Sequence, residues 1–180
     1  MNPMAILSTY YVADTEAYRI LVGHSESVAD KALQIARRHP EMGLDLGFIE
    51  EAAMVHDIGV FLCKAPEIGC YGEADYICHG YLGADLMRRE GYPRHALVCE
   101  RHTGSGISLE EIRTRRLPLP QRDMLPLSLE EQLICFADKF FSKTHLGQEK
   151  PVEKIKNSLG KYGEDALLRF EHWLKLFLGV

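Results

Sequence analysis

No apolar run in this sequence approaches the roughly 20 residues that a membrane-spanning helix needs, and the cluster Leu133-Ile134-Cys135-Phe136-Ala137 is typical of its longest ones. Positive charge is also short: 21 Lys and Arg stand against 26 Asp and Glu, a formal net charge of -5. A long nucleic acid held by counterion release therefore finds no global positive field, whereas a small phosphorylated ligand needs only a few nearby cations. The five cysteines, Cys63, Cys70, Cys78, Cys99 and Cys135, are odd in number and contain no C-x-x-C pair. That excludes a closed disulfide framework and a zinc ribbon and leaves buried thiols in a reducing compartment. Glycine and proline, 15 and 8 residues, are too few for a low-complexity chain. No stretch alternates with the period of two that marks a strand, and no unit repeats at solenoid spacing. The first apolar cluster, Ala5-Ile6-Leu7, follows no Lys or Arg, so no secretory signal is expected and the cytoplasm is the expected location.

What is present is 46% hydrophobic and 26% charged residues over 180 positions, the composition of one soluble domain with a sizeable core. Val28, Ala32, Ile35 and Ala36 recur at helical spacing within residues 25–39, and His39-Pro40 ends the segment. A second helix is expected over 45–57, with Ile49, Ala52, Ala53 and His56 on one face and Gly59 as its stop. Residues 60–78 read as a loop able to cross the mouth of a site. Helices follow over 79–90 and 93–103, the first with Leu82, Leu86 and Met87 inward and His79 one turn ahead. Ser108-x-x-Glu111 and Ser128-x-x-Glu131 each have capping-box spacing, so each starts a helix, the second running to about Lys143. Amphipathic segments over 151–160 and 164–178 complete an all-α chain. Residues 1–180 are read as a single domain with its chemical core over about 24–143 and C-terminal helices over 151–178.

Strong metal-ligand types recur at helix ends or on inward faces: His24, His56 with Asp57, His79, His102 and Asp138. One histidine on an apolar face is usually a satisfied core residue. Four beside an adjacent His-Asp pair are costly to bury together unless a cation pairs with them. Imidazole and carboxylate without thiolate suit Fe, Mn, Co, Zn or Mg.

His56-Asp57-Ile58-Gly59 resembles the signature of the HD-domain superfamily of metal-dependent phosphohydrolases, and the order of the other ligand types agrees with it. His24 upstream, the doublet, and Asp138 in Phe-Ala-Asp-Lys match the four-ligand pattern of that superfamily. His79 and His102 match the extra histidines of the subset that holds two metals. The resemblance implies His24, His56, Asp57 and Asp138 around one divalent ion, with Asp57 bridging to a second held by His79 and His102. It further implies an all-helical bundle and a metal-activated hydroxide attacking phosphorus, with Asp57 at the heart of the chemistry. The expected partner is a small phosphorylated substrate such as a nucleotide, and Arg101, Lys139 and Lys143 are the candidates for holding its phosphate. The segment after His102 also resembles small bacterial members that hydrolyse dinucleoside polyphosphates, although their path to the last Asp is shorter than the one here. An alternative follows from the same ligand set. A few helical relatives hold mixed-valent di-iron and oxidise an inositol or a phosphonate with O₂, but the inositol type carries a Lys shortly after the doublet, where this chain has Val60 and Phe61.

Overall fold

The computed structural model describes residues 1–180, and a side-chain cap starts five of its nine α-helices. Helix α1, Pro3–Tyr10, begins where the Asn2 side chain accepts from the Ala5 N–H and Pro3 takes the first helical position. Thr15 accepts from Tyr18 to start α2, Glu16–Arg38, which stops before Pro40. Asp45 accepts from Phe48 to start α3, Leu46–Val55. After a 3-10 turn over Ile58–Leu62 the chain forms a small hairpin, β1 Lys64–Ala65 against β2 Cys70–Tyr71, paired antiparallel as Lys64 with Tyr71 and Ala65 with Cys70. The remaining helices are α4 His79–Arg89, α5 Pro93–Arg101, α6 Leu109–Thr114, α7 Leu129–Asp138, α8 Val152–Gly160 and α9 Glu164–Leu178.

The mostly helical architecture matches the expectation, with three informative differences. α1 and the two-residue strands have no counterpart in the periodicity, because one turn-rich segment and a hairpin this short leave no repeat to count. α2 begins at Glu16, so His24 lies inside the helix on the stripe that continues through Val28 and Ala32. α7 ends at Asp138 and does not reach Lys143. Beyond it the bonds shorten to Phe140 N–H on Ala137 and Phe141 N–H on Asp138, a tightened turn that swings Lys139 and Lys143 back toward acidic groups.

Gly59 also has a different task from the expected helix stop. A Cβ there would lie 2.3 Å from the His79 carbonyl oxygen and 2.4 Å from the Gly83 nitrogen, so the missing side chain lets α4 press against the turn that follows the His56-Asp57 pair.

Two apolar clusters flank that pair. The larger joins α2, α3, α7, α8 and α9 and is centred on Phe136, whose ring meets Phe140, Phe170 and Phe177. The smaller joins α1, α4 and α5 through Leu7, Tyr11, Leu86, Met87 and Ala96. From this cluster the Tyr11 hydroxyl donates to the Ile58 carbonyl at 2.9 Å and accepts from the Phe61 N–H at 3.2 Å, pinning the turn just beyond Asp57. No helix is long and apolar enough to cross a membrane.

Candidate metal centre

His56 stands at the C-terminal cap of α3, His102 at that of α5, and Asp138 is the last residue of α7. His79 opens α4, and His24 projects from the middle of α2. These elements meet between the two apolar clusters, and all six expected side chains come together there in two groups sharing one member: His24, His56, Asp57 and Asp138, and Asp57, His79 and His102.

The sharing is atom by atom. Asp57 Oδ2 lies 3.2 Å from His24 Nε2 and 3.0 Å from His56 Nε2, while its Oδ1 lies 3.3 Å from both His79 Nε2 and His102 Nε2. Asp138 Oδ1 faces the first group, 2.9 Å from His24 Nε2 and 3.6 Å from His56 Nε2. Asp57 and His56 are fully buried.

Backbone carbonyls fix which way the imidazoles face. His56 Nδ1 donates to the Ala53 carbonyl at 2.6 Å, His79 Nδ1 to that of Tyr76 at 2.6 Å and His102 Nδ1 to that of Cys99 at 2.8 Å. In the neutral ring this leaves the Nε2 lone pair aimed inward, the tautomer that binds metal. The Nε2 atoms of His79 and His102 are 3.0 Å apart. Two acceptor nitrogens at that distance repel unless a proton or a cation lies between or beside them. His56 Nε2 and both Asp57 oxygens are buried and lack a well-formed hydrogen bond. Oxygen and imidazole donors, buried, clustered and unsatisfied, fit a divalent cation.

The protein's own charges divide these groups strongly. Burial works against the cationic form of His56, but Asp57 and Asp138 outweigh it and raise the pKa to about 9. Burial prevails at His102 and pushes it down to about 4. Burial also opposes ionisation of Asp57 and Asp138, yet His56 and Lys143 hold the first, and Lys139 and His24 the second, well below the usual carboxylate range.

Of the three expected phosphate-binding cations, the structure brings two to the centre. Lys143 Nζ lies 2.6 Å from Asp57 Oδ2, and Lys139 Nζ lies 2.8 Å from Asp138 Oδ2 and donates to the His102 carbonyl. Arg101 points elsewhere: its guanidinium pairs with Glu131 at 2.8 Å and lines neither cavity at the centre. Glu131 spends its carboxylate on Arg101 and the Leu127 N–H, so the expected capping box at Ser128 is only half made, while that at Ser108 and Glu111 is complete.

Two cavities open from the centre and share Asp138, Lys139 and Lys143. The larger, about 790 Å³, runs along the 139–150 segment and α8. The smaller, about 310 Å³, is walled by Ile77, Ile107, Arg115, Tyr162 and Ala166. Tyr76, from the loop expected to cross the mouth, sits over His79 with 4.8 Å between rings and borders both cavities. Sequence reasoning did not single out Tyr162, Lys150 or Lys154, since only the packing of α8 and α9 brings them to the site. The Thr103–Gly106 segment is a turn held to α9, where Ser105 donates to the Ala166 carbonyl and Arg169 donates to the Ser105 and Gly106 carbonyls. His95 lies off the centre, paired with Glu51 at 3.2 Å and edge-on to Phe48.

Residues 21–142 match the HD domain family, and the chain belongs to it. An uncharacterized protein of Methanocaldococcus jannaschii is 30% identical over 145 residues, 78% of each chain. A tRNA (cytidine(56)-2'-O)-methyltransferase of Thermoplasma volcanium is 32% identical over 68% of this chain, and one of Picrophilus torridus 29% identical over 84%. The matched segment spans only 32% and 40% of those two proteins. No solved structure matches the chain significantly. Family and site agree on the coarse chemistry: the HD fold is that of a superfamily of metal-dependent phosphohydrolases, and the His/Asp cluster is suited to divalent cations.

Proposed function

We propose that this chain is a metal-dependent phosphohydrolase that cleaves a phosphate ester or anhydride of a nucleotide at a two-metal centre. His24, His56, Asp57 and Asp138 would hold one divalent ion, and Asp57, His79 and His102 the other. The observation that carries the reading is the division of Asp57: one oxygen faces His24 and His56, the other His79 and His102. A carboxylate so placed would serve both groups of donors. When bound, the ions supply an acidified water and counter-charge for phosphoryl oxygens.

The chain's own residues do the rest. The three carbonyl-anchored imidazoles aim their Nε2 atoms at the centre, where a bound cation would take the place of the proton that Asp57 and Asp138 otherwise hold on His56. Lys139 and Lys143, at the junction of the cavities, pair with phosphoryl oxygens in place of Asp138 and Asp57. Apolar packing on both sides limits water to the cleft. The tRNA methylation for which two relatives are named belongs to those proteins; it makes RNA a second substrate class for the assay.

The test is elemental analysis and hydrolysis by wild type, Asp57→Ala and a His79→Ala/His102→Ala double variant, with nucleoside phosphates, p-nitrophenyl phosphate and a short oligoribonucleotide as substrates. Wild type is expected to hold two metals per chain, the double variant one or fewer, and Asp57→Ala neither metal nor activity with its helical circular dichroism retained. An active, metal-replete Asp57→Ala protein overturns the proposal. Iron together with O₂-dependent product and no phosphate release replaces it with the di-iron oxygenase.

A further inference from the structure

The ammonium groups of Lys150 and Lys154 take no part in holding the fold together, although the Lys150 backbone N–H donates to the Phe140 carbonyl. Lys154, on the first turn of α8, is exposed, and Lys150, just ahead of the helix, is half-buried; neither forms an ion pair. Both line the larger cavity together with Lys139 and Lys143. Carboxylates do not balance Lys150 and Lys154: Asp138 pairs with Lys139 and His24, Asp57 with Lys143, Glu149 with Lys31, and Glu67 alone is uncommitted. Burial lowers Lys150 from the ordinary lysine value; the Asp138 charge resists this, and the like charges of Lys139, Lys143 and Lys154 add to it. Two ammonium groups without partners, crowded by two more and open to a cleft, are relieved by a polyanion.

The smaller cavity begins at the same Lys139 and Lys143 and shares Tyr76, Leu159 and Tyr162 with the larger, but its other walls differ. Its Ile77, Ile107 and Ala166 are apolar, and the Arg115 guanidinium stands 5.4 Å from the ring centre of the exposed Tyr162. At about 310 Å³ it is near the lower end of small-ligand sites and offers flat groups for a planar ring to stack on.

We propose that Lys150 and Lys154 form a second phosphate subsite, so that the substrate is a free nucleoside polyphosphate. One phosphate lies at Lys139 and Lys143, the next at Lys150 and Lys154, and the nucleoside occupies the smaller cavity. The placement of the first phosphate rests on the phosphohydrolase reading above; the second subsite rests on the groove alone.

Calorimetric titration tests it with a nucleoside monophosphate and its α,β-methylene diphosphate, which lacks the hydrolysable P–O–P bond. Wild type is expected to bind the diphosphate at least about tenfold more tightly. In a Lys150→Ala/Lys154→Ala variant the preference should shrink below about threefold with monophosphate affinity unchanged. A Lys64→Ala/Lys175→Ala variant, which removes the same charge from exposed sites, should keep it. Equal affinities in wild type, no detectable binding of either ligand, or a preference that survives the Lys150/Lys154 change overturns the proposal. A 5′-diphosphorylated oligoribonucleotide binding about tenfold more tightly than the free analogue replaces it with an RNA end. Metal content and p-nitrophenyl phosphate hydrolysis, measured on the same proteins, separate the two readings. If both are intact without a diphosphate preference, the subsite alone fails; if both are absent with the preference intact, the phosphohydrolase reading fails and the subsite stands.

Discussion

Asp57 and His95 illustrate how differently two buried ionisable residues are treated. Asp57 is surrounded by imidazoles and Lys143 and stays ionised, whereas burial lowers the pKa of His95, with the Glu51 carboxylate pulling only partly the other way. A histidine lowered in the folded state binds its proton more readily when unfolded. Its contribution to stability is therefore complete above the ordinary value of about 6.5 and is lost as pH falls through the folded value. Stability measured by urea denaturation from pH 7 to pH 5 should accordingly fall more steeply in wild type than in His95→Gln. Parallel curves would show that His95 does not contribute to the acid sensitivity. At this scale much was legible in advance: the doublet motif and the order of the ligand types named the six residues that converge. Arg101 was misplaced because adjacency to His102 in sequence put it on the outer side of α5, within reach of Glu131.

Among the elements, the contact between α4 and the Ile58–Leu62 turn decides where His79 stands relative to Asp57. The close approach of Gly59 and Gly83 leaves no room for a methyl group, and the atoms in the way are backbone. Gly59→Ala is expected to cost at least about 2 kcal/mol in urea unfolding and to weaken metal retention by displacing His79. A Gly59→Ala protein with wild-type stability and metal content would show that α4 can retreat without cost. Helix positions were legible from capping residues and apolar spacing, and Ser108, Ser128, Asp45 and Pro93 all stand where helices begin. The end of α7 was not, because Phe140 and Phe141 continue the apolar pattern past Asp138 while tertiary bonds of Lys139 and Lys143 bend the chain away from it.

For the molecule as a whole, the cation cluster lies between two apolar clusters that share few residues, so ligand binding and folding are coupled across it. Any cation that binds the folded chain alone stabilises it by mass action, about 2.7 kcal/mol at a hundredfold excess over Kd. For a chain of this size that corresponds to a thermal midpoint roughly 5–10 °C higher, removed by a chelator and restored by the right metal. A midpoint indifferent to chelation and to added Mn, Co, Zn, Fe or Mg would mean that the cluster binds none of them in the folded state. The cleft around the cluster was the least legible feature, since Lys150, Lys154 and Tyr162 lie in or beside α8, whose approach to α7 and the 103–106 turn no local pattern announces.

The placement of His56, His102 and Asp138 at the ends of α3, α5 and α7 has an electrostatic consequence independent of their side chains. Each helix presents its C-terminal, partially negative pole to the same point, worth about half an elementary charge apiece. The peptide dipoles of these three helices thus favour a cation at this spot even where acid has protonated the imidazoles, opposed by the N-terminal pole of α4 at His79.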